Sequence, residues 1–136
     1  PTLRLQPPVA GEQTGGFAAD HLAYNATTRD WRTHEGLDLA AALGDPVCAA
    51  ADGTVYTIYE DERYGTTVVL RHSGGFTTHY ANLSEEPDVA VGDTVRAGQR
   101  LGTVGQTALT ETGDAPHVHF ALYNGNTPED PAEYWQ

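Results

Sequence analysis

The chain has 136 residues, 39% of them apolar and 15 of them glycine, which suits one turn-rich β domain large enough for a core of its own. Nineteen acidic residues stand against seven arginines and no lysine, and the net charge of −12 argues against a nucleic-acid or anionic-membrane partner. No apolar run approaches a membrane span, so these residues are not expected to insert directly in a membrane, and a single cysteine excludes an internal disulfide.

Residues 1–16 carry Pro7-Pro8 and Gly15-Gly16 and read as an N-terminal arm or a first edge strand, with the domain proper over 17–136. The opening on Pro1 suggests that a leader or anchor precedes these residues. Phe17–Trp31 is ambiguous, since Asp20–Tyr24 suits a helical turn or an extended segment. His21 reads as a surface residue, and Asn25–Arg32 as a loop. From Leu39 onward the chain reads as short strands and tight turns. Pro46–Ala49 resembles buried strand, which makes Cys48 an inert core thiol. Gly53–Tyr59 alternates, Thr66–Arg71 is a buried strand, and His72–Gly75 is a hairpin turn leading to Phe76–Leu83. His72 reads as structural. Glu85–Asp88 is a further turn, and Asp130–Trp135 forms at most one terminal turn.

The chain also echoes itself. Gly44-Asp45-Pro46-Val47-Cys48-Ala49 recurs as Gly92-Asp93-Thr94-Val95-Arg96-Ala97, an offset of 48 from Gly44 to Gly92. Gly53-Thr54-Val55 recurs as Gly102-Thr103-Val104, an offset of 49 from Gly53 to Gly102. Two copies of one β-turn-β unit imply a quasi-symmetric all-β body. Lipoyl and biotinyl carrier barrels show such echoes, but they need a lysine at a hairpin tip, and this chain has none.

Two stretches carry the chemistry. Pro116–Tyr123 alternates, so Val118, Phe120 and Leu122 face a core, and His117 and His119 share the other face about 6.5–7 Å apart. Thr33–Ala40 alternates too, with Leu37 and Leu39 on one side and His34, Gly36 and Asp38 on the other. Gly36 leaves room between His34 and Asp38. Zinc takes neutral imidazole and carboxylate, and a catalytic site keeps three protein ligands plus water. His34, Asp38 and one of His117 or His119 supply that set.

His-Glu-Gly-Leu-Asp at 34–38, followed about eighty residues later by His-Val-His at 117–119, resembles the lysostaphin/LytM family of zinc metallopeptidases. The likeness runs from about Asp30 to Trp135 and includes Gly92–Gln99 and Leu101–Gly105. It implies an antiparallel, duplicated-hybrid-motif-like β-sheet whose groove holds one Zn²⁺. By position, it makes His34, Asp38 and His119 the metal ligands and His117 a catalytic histidine. It also implies a metalloendopeptidase acting on peptidoglycan peptides, outside the cytoplasm. A zinc dipeptidase is a more distant possibility.

The sequence departs from the family at one groove position. The usual Tyr-x-His-Leu segment appears as Tyr80-Ala81-Asn82-Leu83, and an amide cannot titrate. His79 is a second catalytic candidate, although strand alternation puts 79 and 82 on opposite faces and favours a surface hairpin histidine. Tyr24–Thr27, Asp30–Asp38, Thr78–Tyr80 and the loop Gln106–Pro116 resemble the sporulation branch of the family, which is anchored in the forespore membrane. That branch docks a membrane-protein partner, and some members serve only as scaffolds. The alternative function is therefore a zinc-binding but weakly active or inactive domain working through protein–protein contact.

Overall fold

The computed structural model describes residues 3–9, 13–15, 18–25, 30–34, 36–61, 65–105 and 117–135, with side chains described outside 13–34 and Ala132. Apart from two 3₁₀ turns, at Ser73–Gly75 and Pro131–Tyr134, the regular elements among these residues are strands. The strands in chain order are β1 (Gln13–Gly15), β2 (Ala18–Asn25), β3 (Asp30–His34), β4 (Leu37–Ala40), β5 (Pro46–Cys48) and β6 (Gly53–Asp61). They continue as β7 (Gly65–Arg71), β8 (Phe76–Leu83), β9 (Thr94–Val95), β10 (Arg100–Thr103), β11 (His117–Asn124) and β12 (Thr127–Glu129). An eight-stranded sheet runs β1-β4-β11-β8-β7-β6-β9, with β12 also on β11. Its pairs are antiparallel. Two smaller sheets pair β10 with β5 and β2 with β3.

The alternation read in β11 has a physical outcome. Val118, Phe120 and Leu122 are fully buried, and they join Leu37, Leu39, Val68, Leu70 and Tyr80 in one core. Phe120 lies 5.3 Å from Tyr80 and stacks at 5.8 Å on Trp135, ring centroid to centroid. Leu5, in the segment expected to be an arm, is 0% exposed and bridges to Trp135. The two ends of the described chain are thus tied by the same core. The described residues of the ambiguous segment before the metal motif are extended: β2 pairs antiparallel with β3, and Asp30–Arg32, expected in a loop, are strand. Cys48 is half-exposed rather than buried, because Val47 takes the inward position of β5 and alternation turns its neighbour out.

The internal echo is a structural repeat. Each copy opens on a turn in which an Asp carboxylate accepts the N–H of the alanine three residues before it: Ala42 to Asp45 at 3.0 Å, Ala90 to Asp93 at 2.9 Å. Gly44 and Gly92 sit at φ 85° and 95°, a region that favours glycine, so the turn fixes those residues. The copies then pair crosswise. Gly53 faces Val95 and Gly102 faces Val47, which are equivalent positions under the offsets of 49 and 48. The backbone bonds repeat likewise, with Val55 N–H to Asp93 O at 2.8 Å and Val104 N–H to Asp45 O at 2.9 Å.

Behind the sheet, a buried polar chain crosses this core. His72 Nδ1 lies 2.7 Å from the Asp52 carbonyl, and its Nε2 lies 2.7 Å from Thr78 Oγ1. Thr78 Oγ1 is 2.8 Å from Tyr80 Oη, which accepts the Ala50 N–H at 2.9 Å. One tautomer satisfies every hydrogen: Tyr80 donates to Thr78, Thr78 to Nε2, and Nδ1–H to Asp52. His72 is therefore structural and held neutral, and burial pushes its pKa below the ordinary value.

Candidate metal centre and groove

The site is assembled by β4, β11 and β8. In register, His119 pairs with Asp38 on one side and with Ala81 on the other, and Ala121 pairs with His79. Asp38 Oδ1 lies 3.1 Å from His119 Nδ1 and 3.9 Å from His117 Nε2. Both histidines are buried, at 3% and 4% exposure, rather than on a solvated face. Burying two imidazoles beside a carboxylate is expensive unless their polar atoms converge on something. Gly36 completes the cradle: a Cβ there would fall 2.5 Å from the Phe120 carbonyl oxygen and 3.1 Å from His119 Nε2. β3 ends at His34 and β4 begins at Leu37.

Of the expected ligands, the structure brings Asp38 and His119 into contact and places His117 beside them. His34 ends β3, three positions before the start of β4, and its side chain lies outside the described set, as does that of His21. A complete set of three metal-binding side chains is not present among the described residues. The loop 106–116 also lies outside them.

Asn82 is where local geometry departs from a simple strand. Between β7 and β8 the register runs Thr66↔Leu83 then Val68↔Tyr80, so β8 carries one extra residue, a bulge at Ala81-Asn82. Asn82 sits at φ 65°, a left-handed conformation that Asn, Asp and His adopt more readily than other side chains. It is 4% exposed, and its amide nitrogen donates to the His117 carbonyl oxygen at 2.9 Å. Its role here is to fasten β8 to the start of β11.

His79 does not stand at an exposed hairpin surface. It is partly buried on the face that also carries Ala121 and His119, with its ring 4.7 Å from Tyr123. Burial, and then the neighbouring His119, lower its pKa to about 4, so it is a neutral base in the groove at neutral pH. Beyond it opens a cavity of about 470 Å³ lined by Tyr56, Tyr59, Arg71, Thr77 and Tyr123, among others. Sequence reasoning missed these groove residues. Tyr123 was findable, being on the same face of β11 as His119 by alternation, whereas Tyr56, Tyr59 and Arg71 come from other strands.

Comparisons with known proteins place this geometry. The model of Peptidase family M23 matches residues 32–131. The DD-carboxypeptidase/endopeptidase Mpg of Neisseria meningitidis is 35% identical over 131 residues, covering 88% of this chain and 29% of that protein. The peptidoglycan DD-endopeptidase ShyC of Vibrio cholerae is 38% identical over 95 residues, covering 69% of this chain and 21% of that protein. This chain thus spans less than a third of those curated relatives. Among solved structures, a zinc-containing peptidase from Vibrio cholerae superposes with a TM-score of 0.79 at 28% identity, covering 96% of this chain and 39% of that one. A structure of the SpoIIIAH and SpoIIQ complex superposes at 0.80 with 26% identity, covering 96% and 99%. With the match spanning 32–131 and the His-x-His strand set against Asp38, the chain belongs to peptidase family M23.

Proposed function

We propose that this domain is a zinc-dependent metalloendopeptidase that cleaves peptidoglycan peptides in the groove along β8 and β11, outside the cytoplasm. The observation that carries the reading is the meeting of the Asp38 carboxylate with His119 and His117 on one buried face. His34, Asp38 and His119 would hold one Zn²⁺, a donor set of two imidazoles and one carboxylate that leaves a position for water. The bound ion supplies carbonyl polarisation and a water of lowered pKa. His117 stands beside the ligands to take up or return a proton, or to donate to the developing oxyanion. His79, neutral and on the same face, is the second candidate for that work.

Asn82 favours a second reading, a zinc-holding scaffold that acts through contact with a membrane-protein partner in sporulation. Its amide is engaged with the His117 backbone and cannot move a proton. Loss of one acid–base group typically costs about 10²–10⁴-fold, which leaves a slow enzyme rather than none. The test is release of soluble peptides from purified cell walls, with zinc and with chelator. Slow, zinc-dependent release that stops in His117→Ala with zinc retained supports the peptidase. Tight binding of a sporulation membrane protein by a zinc-loaded chain that releases nothing supports the scaffold.

A further inference from the structure

Resting on the peptide-groove reading, we propose that the cavity beyond His79 is a carboxylate-recognition subsite with Arg71 as its anion-binding group. The cavity, about 470 Å³, is lined in part by Tyr56, Arg71, Thr77, His79, Tyr123 and Asn126. Although 19 residues of the chain are acidic, none of the described residues that line the cavity is, and Arg71 is the one fixed cation among them. The walls of this cavity therefore run against the charge of the rest of the molecule.

Arg71 is also held in a particular way. Its guanidinium carbon lies over the Tyr56 ring, 4.2 Å from the centroid, a cation–π contact of the planar group. The N–H donors lie around the edge of that plane, in the fork that matches a carboxylate. Among the described residues the guanidinium has no hydrogen-bond or ion-pair partner. A free carboxylate matches both the charge and the fork, whereas a neutral sugar or an uncharged peptide stretch offers only weaker, uncharged acceptors.

Register gives the distance from the metal ligands. Arg71 pairs with Thr77, Thr77 with Tyr123, and Tyr123 lies four positions along β11 from His119. Four residues of strand and two strand spacings put the two Cα atoms about 16 Å apart. An extended peptide from His119 to Arg71 therefore spans about five residues. The substrate feature read here is a carboxylate about that far from the bond cleaved.

The test uses two N-acetylated pentapeptides of glycine and alanine, one ending in a free carboxylate and the other in a carboxamide. Each is titrated into the zinc-containing protein and followed by backbone amide NMR. The free acid is expected to bind about fivefold or more tightly, with shifts at Arg71, Thr77 and Tyr123. In Arg71→Gln the ratio is expected to fall to about one with the amide's affinity unchanged. Arg71→Lys is expected to keep part of the preference. Equal binding of the two peptides by the unmodified protein overturns the subsite and leaves the peptide groove standing. So does a preference that survives Arg71→Gln, since another group or the metal then reads the carboxylate. Failure of both peptides to bind overturns the subsite and the groove reading together.

Discussion

His72 and His79 lie seven residues apart, both enclosed by the same sheet and both held neutral by burial, yet they do different things. His72 has a partner at each ring nitrogen, in a hydrogen-bonded run from Asp52 to Ala50 that uses every available proton. His79 packs its ring on Tyr123 beside His119 and has no hydrogen-bond partner among the described residues. The first is a closed polar structure inside the core, and a closed structure has nothing left to offer a substrate. The second leaves ring nitrogens available at a cavity, on the sheet face that also carries His119. Burial alone therefore does not mark a working histidine. What marks it is polar capacity left unspent inside a cavity.

The largest effect is expected on the groove side. Asp38→Ala removes the carboxylate that meets His119, and it should lower zinc affinity by more than the roughly 10–100-fold that supporting outer partners typically cost. Zinc per chain after dialysis should fall from about one to near zero, while the circular dichroism of the β fold is retained. Full zinc in that variant would remove Asp38 from the ligand set. Tyr80→Phe is expected to do the reverse, keeping zinc but weakening the fold. It strands the Ala50 N–H in the core and takes from Thr78 Oγ1 one of its two partners, at a cost of about 1–3 kcal/mol, seen as a lower urea midpoint. An unchanged midpoint would mean that the polar run is ornamental.

The smallest effect is a pH dependence. The folded pKa of His72 lies below its ordinary value of about 6.5, so the unfolded chain binds the extra proton first. Its contribution to stability is present in full above about pH 6.5 and is lost as pH falls below it. In chelated protein, the stability advantage of the unmodified chain over His72→Gln should narrow from pH 7.5 to pH 5. Parallel curves would show that His72 carries its charge without cost.

Much of this was legible in the sequence, for local reasons. Period-two alternation placed Val118, Phe120 and Leu122 inward and His117 and His119 together, because a strand admits no other arrangement of neighbours. Phe76–Leu83 and the repeated Gly-Asp turns were equally readable, since glycine and aspartate announce their backbone. The bulge at Asn82 was harder. No glycine or proline marks it, and the one signal was that asparagine tolerates the left-handed region. The cavity was out of reach, because Tyr56, Arg71, Thr77 and Tyr123 come from β6, β7, β8 and β11 and meet only through sheet register.

The most direct measurement of the central claim is peptide release from purified cell walls by zinc-loaded Asn82→His beside the unmodified protein. The bulge geometry accepts histidine, so the variant should fold and keep its zinc. The unmodified protein is expected to release peptides slowly or below detection. Asn82→His is expected to release them about 10²-fold faster or more, and the added His117→Ala change should abolish that gain without loss of zinc. A zinc-loaded Asn82→His protein that still releases no peptide would contradict the account and leave the domain a scaffold.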